Sequence, residues 1–265
     1  GTHKPEVSGS IPLPATIIFS LMNNYFTKKI YRLFESRNIL RIKFLIHKFF
    51  NEKDIGSLNL DFTDKPNRIK IIKDIIQIRN YKSYLEIGCF SNELFDQIVC
   101  KNKVGVDPIS GGTIRATSDD FFKENTEKFD CVFIDGLHRY HQVKKDILNS
   151  INVLNEGGII LLHDCLPNNV YEQAVPRCQY KWNGDVWKAI VEFRTHKGLD
   201  IYTCYADHGI GVIFVRPNKN QLNLNKNNFL KLSFKDYYEN YKEYMNLISY
   251  PKLLEDIDCS DDSNS

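Results

Sequence analysis

No uninterrupted apolar stretch in this sequence of 265 residues approaches the ~20 that a membrane-spanning helix needs, which excludes that class of protein. An excess of one charge is missing as well. With 35 lysines and arginines against 33 aspartates and glutamates, the net charge of +2 gives no reason to propose a nucleic acid partner. Cysteine occurs seven times, an odd number, at Cys89, Cys100, Cys131, Cys165, Cys178, Cys204 and Cys259, with no CxxC pair and no ligand-like spacing. Several lie in apolar, strand-like runs, where a thiol behaves as a small hydrophobe. The pattern argues against a disulfide framework and predicts a reducing, intracellular compartment, here cytoplasmic. The N-terminal residues lack a secretory charge and cleavage pattern.

Glycine is scarce where a pyrophosphate would need it. The stretch 83–95 opens as a short apolar run, Tyr84 to Ile87, that reads as a buried strand. Glu86 interrupts it one residue before its end, and Gly88 turns the chain toward a helix predicted from Asn92 onward. A dinucleotide requires a second and a third glycine so that the backbone can approach its phosphates. Here those places hold Phe90 and an ordinary loop, and Glu86 would repel the phosphates. A carboxylate at a strand's carboxyl end, followed by a glycine turn, suits a ligand with both hydroxyls and a positive charge. The plain alternative is a strand-turn-helix carrying an unusual acid.

Taken in order, residues 11–50 mix aromatic, aliphatic and basic residues. Ile30, Leu33 and Phe34, and again Ile42, Leu45, Ile46 and Phe49, fall at helical spacing. Lys28, Lys29, Arg32, Arg37, Arg41, Lys43 and Lys48 face the single acid Glu35. Such helices read first as a cover for one edge of the domain, or as a homodimer contact. The second reading is peripheral attachment of residues 24–50 to an anionic membrane surface. Residues 51–65 read as a linker. Pro66 then starts a helix with Ile69, Ile71, Ile72, Ile75 and Ile76 as its apolar stripe.

Beyond Glu86, the run Lys103 to Val106 ends in Asp107, Cys131 to Ile134 ends in Asp135, and Ile159 to Leu162 ends in His163 and Asp164. A short strand is predicted over 113–116, and Thr117 caps a helix. A helix is predicted over 140–154 and a tight turn over 155–158. Apolar strands alternating with amphipathic helices predict a parallel sheet covered on both faces, which takes its ligands outside the carboxyl ends of the strands. Glu86, Asp107, Asp135 and Asp164 all occupy such ends. The long connection 165–184, with Tyr180 and Trp182, reads as a lid. Strands are predicted over 201–205 and 210–215, joined by the turn 206–209, which makes the finish of the sheet antiparallel. A tyrosine-rich helix over 234–248 and a disordered acidic tail follow.

The ordered segments Tyr84-Leu85-Glu86-Ile87-Gly88, Val104-Gly105-Val106-Asp107-Pro108, Thr117-Ser118-Asp119, Phe133-Ile134-Asp135-Gly136-Leu137-His138 and Leu162-His163-Asp164-Cys165 resemble class I S-adenosylmethionine-dependent methyltransferases. They look most like bacterial small-molecule and sugar O-methyltransferases linked to surface-glycan synthesis, over roughly residues 67–215. The resemblance implies a doubly wound, mostly parallel seven-stranded sheet with helices on both faces and an antiparallel final strand. It divides the chain into a basic helical extension (1–65), a cofactor domain (66–217), a C-terminal helical extension (218–254) and the tail (255–265). It implies S-adenosylmethionine as cofactor. Glu86, Gly88, Phe90 and Ser91 would face its methionine part, Asp107 its ribose, Pro108, Ser118 and Asp119 its adenine, and Asp135 would border it. Asn92 stands where the family usually has glycine, so a slightly altered loop is expected.

For the chemistry, the acceptor's proton must leave as the new bond forms. His138, Asp135, His163 and Asp164 are the catalytic candidates, with His141 set aside as a helix residue. Two versions stay open. In one, Asp135 and Asp164, with His163 as a substitute third ligand, hold a divalent metal; Cys165 suits a hard ion such as Mg²⁺ poorly. In the other, His138 is a metal-free general base oriented by Asp135 or Asp164. The expected acceptor is a small molecule, a sugar or sugar nucleotide. Tyr180, Trp182 and Trp187 suit either a sugar ring or internal packing. A nicotinamide-dependent oxidoreductase and a non-catalytic cofactor-binding scaffold are the competing readings.

Overall fold

The computed structural model describes residues 36–258. The part of the predicted basic segment before residue 36 lies outside them. In chain order the elements are α1 (Arg37–Phe50), α2 (Arg68–Ile78), β1 (Ser83–Ile87), a 3-10 turn (Phe95–Gln97), β2 (Asn102–Val106), α3 (Ser118–Glu124), β3 (Phe129–Ile134), α4 (Tyr140–Asn152) and β4 (Leu154–Leu162). After these come α5 (Val186–Phe193), β5 (Asp200–Cys204), β6 (Ile210–Phe214), α6 (Phe234–Met245), β7 (Leu247–Ile248) and α7 (Tyr250–Asp258).

The strands form one sheet in the order β2-β1-β3-β4-β6-β5-β7. β1 pairs in parallel with both β2 and β3, and β3 with β4, whereas β6 runs antiparallel to β4 and β5. The chain leaves β1 for β2 on one side and returns to β3 on the other, which puts the reversal of strand order at β1, where such sheets open a ligand crevice. Period-two alternation sends side chains to two cores. Leu85, Ile87, Val132, Ile134, Ile160 and Leu162 pack with α3, α4, α5 and α6. Tyr84, Cys131, Phe133, Ile159 and Leu161 pack on the other face, under the isoleucines of α2 and under Leu253 and Ile257 of α7. Burial on both faces is why these strands are uniformly apolar. The doubly wound α/β expectation holds.

Several local expectations change. After Gly88 the chain forms only the 3-10 turn in place of a helix from Asn92, which itself takes a left-handed conformation (φ +63°) incompatible with an α-helical turn there. The 113–116 segment is no strand; Ile114 makes a single bridge to Val106. The seventh strand is instead β7, two residues that pair in parallel with β5. Residues 155–158, read as a turn, lie within β4, opposite a register irregularity in β3. α2 is capped by Asn67, whose side chain accepts from Lys70 N, so Pro66 precedes the helix. α6 stops at Met245, where Asn246 takes a left-handed conformation (φ 46°). Glu255 to Asp258, expected to be disordered, form the last turn of α7, because Ile257 is buried there. The 51–65 linker is docked: Leu58 N and Leu60 N bond to Asn168, and Ile55, Leu58, Leu60 and Phe62 rest on the core.

Candidate active site

Register brings the acids together. Ile87 pairs with Val106 and with Ile134, and Ile134 pairs with Leu162. The next residues along, Gly88, Asp107, Asp135 and His163, therefore leave the sheet side by side. β6 enters antiparallel with Gly211 opposite Leu162, so the turn 206–209 before it sits at the same rim. α2 packs on β1 and precedes it through a short connection, so Arg68, its first residue, also begins there.

At β1, Gly88 has φ +92°, and a Cβ there would lie 2.2 Å from the Asp135 carbonyl oxygen. Only glycine fits this turn. Asn92 takes φ +63° and its side-chain oxygen accepts from Gly112 N at 2.6 Å, so the asparagine replaces glycine at a left-handed position that it tolerates. Glu86 is 2 % exposed and accepts a hydrogen bond from the Tyr84 hydroxyl at 2.7 Å. Burial lifts its pKa to about 7; the Tyr84 bond and Arg68 pull it down, while Asp135 adds to the rise. Asp107 is engaged by the loops around it: Phe90 N donates to one oxygen (2.9 Å), and Ile109 N and Ser110 N to the other (2.7 Å each). A carboxylate offers about four acceptor positions, so one is left for a ligand hydroxyl. Phe90 is exposed with φ +44°, Ser91 is exposed beside it, and Pro108 is exposed beyond Asp107. Ser118 and Asp119 open α3, but both accept from Gln142 Nε2 (3.1 and 2.9 Å) and Asp119 pairs with Lys145 (3.0 Å). They face α4 in this structure.

At β3 and β4 lies a cluster of alternating charge. His138 Nε2 is 3.1 Å from Asp135 Oδ1, and its Nδ1 is 3.2 Å from Asp164 Oδ2. His163 Nδ1 is 3.4 Å from both Asp135 and Asp164, and its Nε2 is 3.4 Å from Asp207. Arg68 reaches Asp207 (3.6 Å) and Asp135 (4.0 Å). Burial opposes the charge of both histidines, yet their carboxylate neighbours win. The pKa of His138 is raised by its bond to Asp135 and the charge of Asp164, and that of His163 is raised well above its usual value by Asp164 and Asp135. Burial opposes ionisation of the acids too, but His163 and His138 hold Asp135 far below the usual carboxylate range, and His163 and Arg68 hold Asp207 at about 2. Asp164 adopts φ +60°, rare for a residue with a side chain, and is held by Asn183 Nδ2 at 2.9 Å. Trp182 of the 165–184 connection stacks on His138 at 5.2 Å and 22°. The lid thus closes over the imidazole.

The structure joins all four catalytic candidates, His138, Asp135, His163 and Asp164. His141 stands apart on α4, exposed. Among the described residues, the side chains positioned to share a metal ion are Asp135, His138 and Asp164, with ligand atoms within 4.8 Å of one another. The imidazole in this group is that of His138, where the sequence pointed to His163, whose ring nitrogens face Asp135, Asp164 and Asp207. His138 Nδ1 and His163 Nε2 are buried without an aligned hydrogen bond. A donor set of two carboxylates and one imidazole fits a borderline divalent ion. Arg68, Asp207 and Asn183 were missed. Asp207 could have been found, because the turn of an antiparallel hairpin beside a parallel strand returns to that strand's carboxyl end.

No curated protein matches the sequence. Among solved structures, the chain is similar to the O-methyltransferase TomG from Streptomyces achromogenes, involved in tomaymycin synthesis and crystallised with SAM (14% identity, 56% of this chain and 79% of that chain, TM-score 0.41). It is also similar to the SAH-bound methyltransferase PaMTH1 of Podospora anserina (17% identity, 66% and 94%, TM-score 0.42). A third is the O-methyltransferase from Bacillus cereus in complex with SAH (13% identity, 58% and 83%, TM-score 0.39). Residues 94–165, running from the 3-10 turn through β2, β3 and β4, match a family described as "Methyltransferase domain".

Proposed function

We propose that this chain is an S-adenosylmethionine-dependent O-methyltransferase acting on a sugar or another small polar acceptor in capsule or lipopolysaccharide synthesis. The observation that carries the reading is the acid-lined rim: Asp107 and Asp135 leave the sheet level with the bare backbone of Gly88, with Glu86 buried just inside β1 and Asp164 one residue beyond the end level of β4. The residues fit the cofactor in charge. Glu86 is a buried carboxylate that accepts from the neutral Tyr84 phenol, which leaves its charge for a cation, and Asp107 keeps an acceptor position for a hydroxyl. Glu86, Gly88, Phe90, Ser91, Asp107, Pro108, Ser118, Asp119 and Asp135 are the residues that would hold it. When bound, the cofactor supplies an electrophilic methyl group.

The chain's own part is to place the acceptor hydroxyl and take its proton. His138 keeps Nε2 on Asp135, which orients it; between these carboxylates the protonated ring is favoured, so it serves as base only after losing its Nδ1 proton, with Nδ1 turned from Asp164 to the acceptor. Trp182 shields that face from water. In the metal version, Asp135, His138 and Asp164 would hold a divalent ion, which would supply Lewis acidity toward the acceptor hydroxyl, and His138 would be a ligand instead of the base. The sugar acceptor rests on the resemblance of the motif series to bacterial sugar O-methyltransferases. Titration calorimetry with S-adenosylhomocysteine is expected to give binding, with none for NAD; the opposite result ends the reading. Methyl transfer to a panel of sugars should then fall at least ~10²-fold in His138→Ala. Loss of turnover on EDTA, restored by Mn²⁺, selects the metal version, and indifference to EDTA selects the base.

A further inference from the structure

Away from the acid rim lies a cavity of about 430 Å³, within the size range of small-molecule sites. α1, the 165–184 connection and α5 enclose it. Its polar lining is His47, Asn51, Glu52, Gln173, Asp185 and Lys188, beside an apolar wall of Val170, Ala174 and Val175. Asn51 and Leu230, both exposed, mark its mouth, and Gln173, Asp185 and Lys188, each 5–7 % exposed, its floor.

The polar groups hold each other in place but are not used up. Lys188 Nζ donates to the Leu230 carbonyl at 3.0 Å, and an ammonium has three N–H groups to give. Asp185 accepts from Tyr140 N on one oxygen (2.6 Å). Glu52 accepts from Gln173 Nε2 (3.0 Å) and from Phe234 N. His47 Nε2 faces the Pro176 carbonyl at 3.1 Å, which can only accept, so that nitrogen carries the proton. Its Nδ1 then accepts from Asn51 at 2.7 Å, and the ring is neutral. The lining therefore presents spare donors and spare acceptors together, with one cation against two carboxylates. Hydroxyl groups both donate and accept, so they meet both kinds, whereas a phosphate meets an excess of negative charge.

We propose that this cavity is a binding site for a neutral polyhydroxylated ring of hexose size, separate from the acid rim. It is linked to that rim by Trp182, whose indole N–H donates to the Ala174 carbonyl in the cavity wall (2.6 Å) while its ring lies on His138. Trp187, the only other tryptophan, donates to Gln173 in the cavity floor at 3.0 Å. Both indoles thus report on the site without any methyl transfer, so the assignment stands or falls apart from the proposed activity.

The test is tryptophan fluorescence of the full chain titrated with methyl glucoside, methyl galactoside, methyl mannoside and glucose 1-phosphate. At least one neutral glycoside should give a saturable change at about 1 mM or below, and glucose 1-phosphate should bind at least tenfold more weakly. Val175→Phe, which fills the cavity and removes no polar group, should abolish the response with Tm retained, and Glu52→Gln should weaken binding about tenfold. No response to any glycoside overturns the proposal. So does equal or tighter binding of the phosphate, or an unchanged response in a folded Val175→Phe protein. Should Val175→Phe fail to fold, the Glu52→Gln titration decides alone: unchanged affinity overturns the site.

Discussion

Glu86 is the residue at which sequence and chemistry meet most directly. Its folded-state pKa is raised from 4.5 to about 7, so the native chain binds the proton more tightly than the unfolded one. This group's contribution to stability therefore falls as pH rises from about 4.5 to about 7 and is level above that. A cationic ligand has the opposite preference, because it needs the carboxylate ionised. Affinity for S-adenosylmethionine is expected to rise about tenfold between pH 6 and pH 8, and Glu86→Gln should flatten that profile in calorimetry. Tyr84, Cys89, Asp135 and Arg68 are the groups that bear on Glu86, and Arg68 is the one cation among them. Gly88 makes the complementary point about shape. Gly88→Ala puts a methyl 2.2 Å from the Asp135 carbonyl oxygen at a φ of +92°, so a loss of about 3 kcal/mol is expected in urea unfolding, with cofactor binding lost too.

Among the elements, α1 has two characters. One side docks: Leu40 and His47 are buried, and Phe44 lies 4.5 Å from the Tyr171 ring. The other side exposes Phe50 (82 %), Phe49 (70 %) and Ile42 (58 %), with Arg41, Lys43 and Lys48 on the same helix. An apolar ridge flanked by cations suits an anionic lipid surface, and we propose peripheral membrane contact through it. The protein should co-sediment with phosphatidylserine-containing vesicles at low salt, and Phe49→Ser with Phe50→Ser should release it. Sedimentation that is indifferent to salt and to both substitutions would instead mark the ridge as a contact between copies of the chain. The docked side was foreseen as an edge cover. That the 165–184 connection could cover the site was readable from its length and aromatics. Which ring its tryptophan would cover was not, because His138 and Trp182 are far apart in sequence and meet only through tertiary packing.

At the scale of the whole molecule, the C-terminal end of α6 is tied to the end of α5 by a buried cation. Arg194, 1 % exposed, donates to the carbonyls of Glu243 and Tyr244 (3.2 Å) in the last turn of α6 and of Asn220 (2.7 Å) in the loop after β6. Arg194→Met removes these bonds and leaves the carbonyl of the buried Tyr244 without this donor, whereas the Glu243 carbonyl keeps Asn246 N and Asn220 can turn to water; a loss of about 2 kcal/mol is expected, read as a fall of roughly 4–8 °C in Tm. The sequence alone determined the layered α/β plan and the four acids at strand ends, because alternating apolar runs and helical stripes are local patterns that burial enforces. It also determined the special backbone at Gly88 and Asn92, since residue type limits φ. Tertiary structure alone decided that Arg68 and Asp207 join the cluster, that β7 and not 113–116 completes the sheet, and that His138 is held between Asp135 and Asp164. Those outcomes depend on strand register and chain return, which place residues far apart in sequence within a few ångströms and leave no periodic mark in either segment.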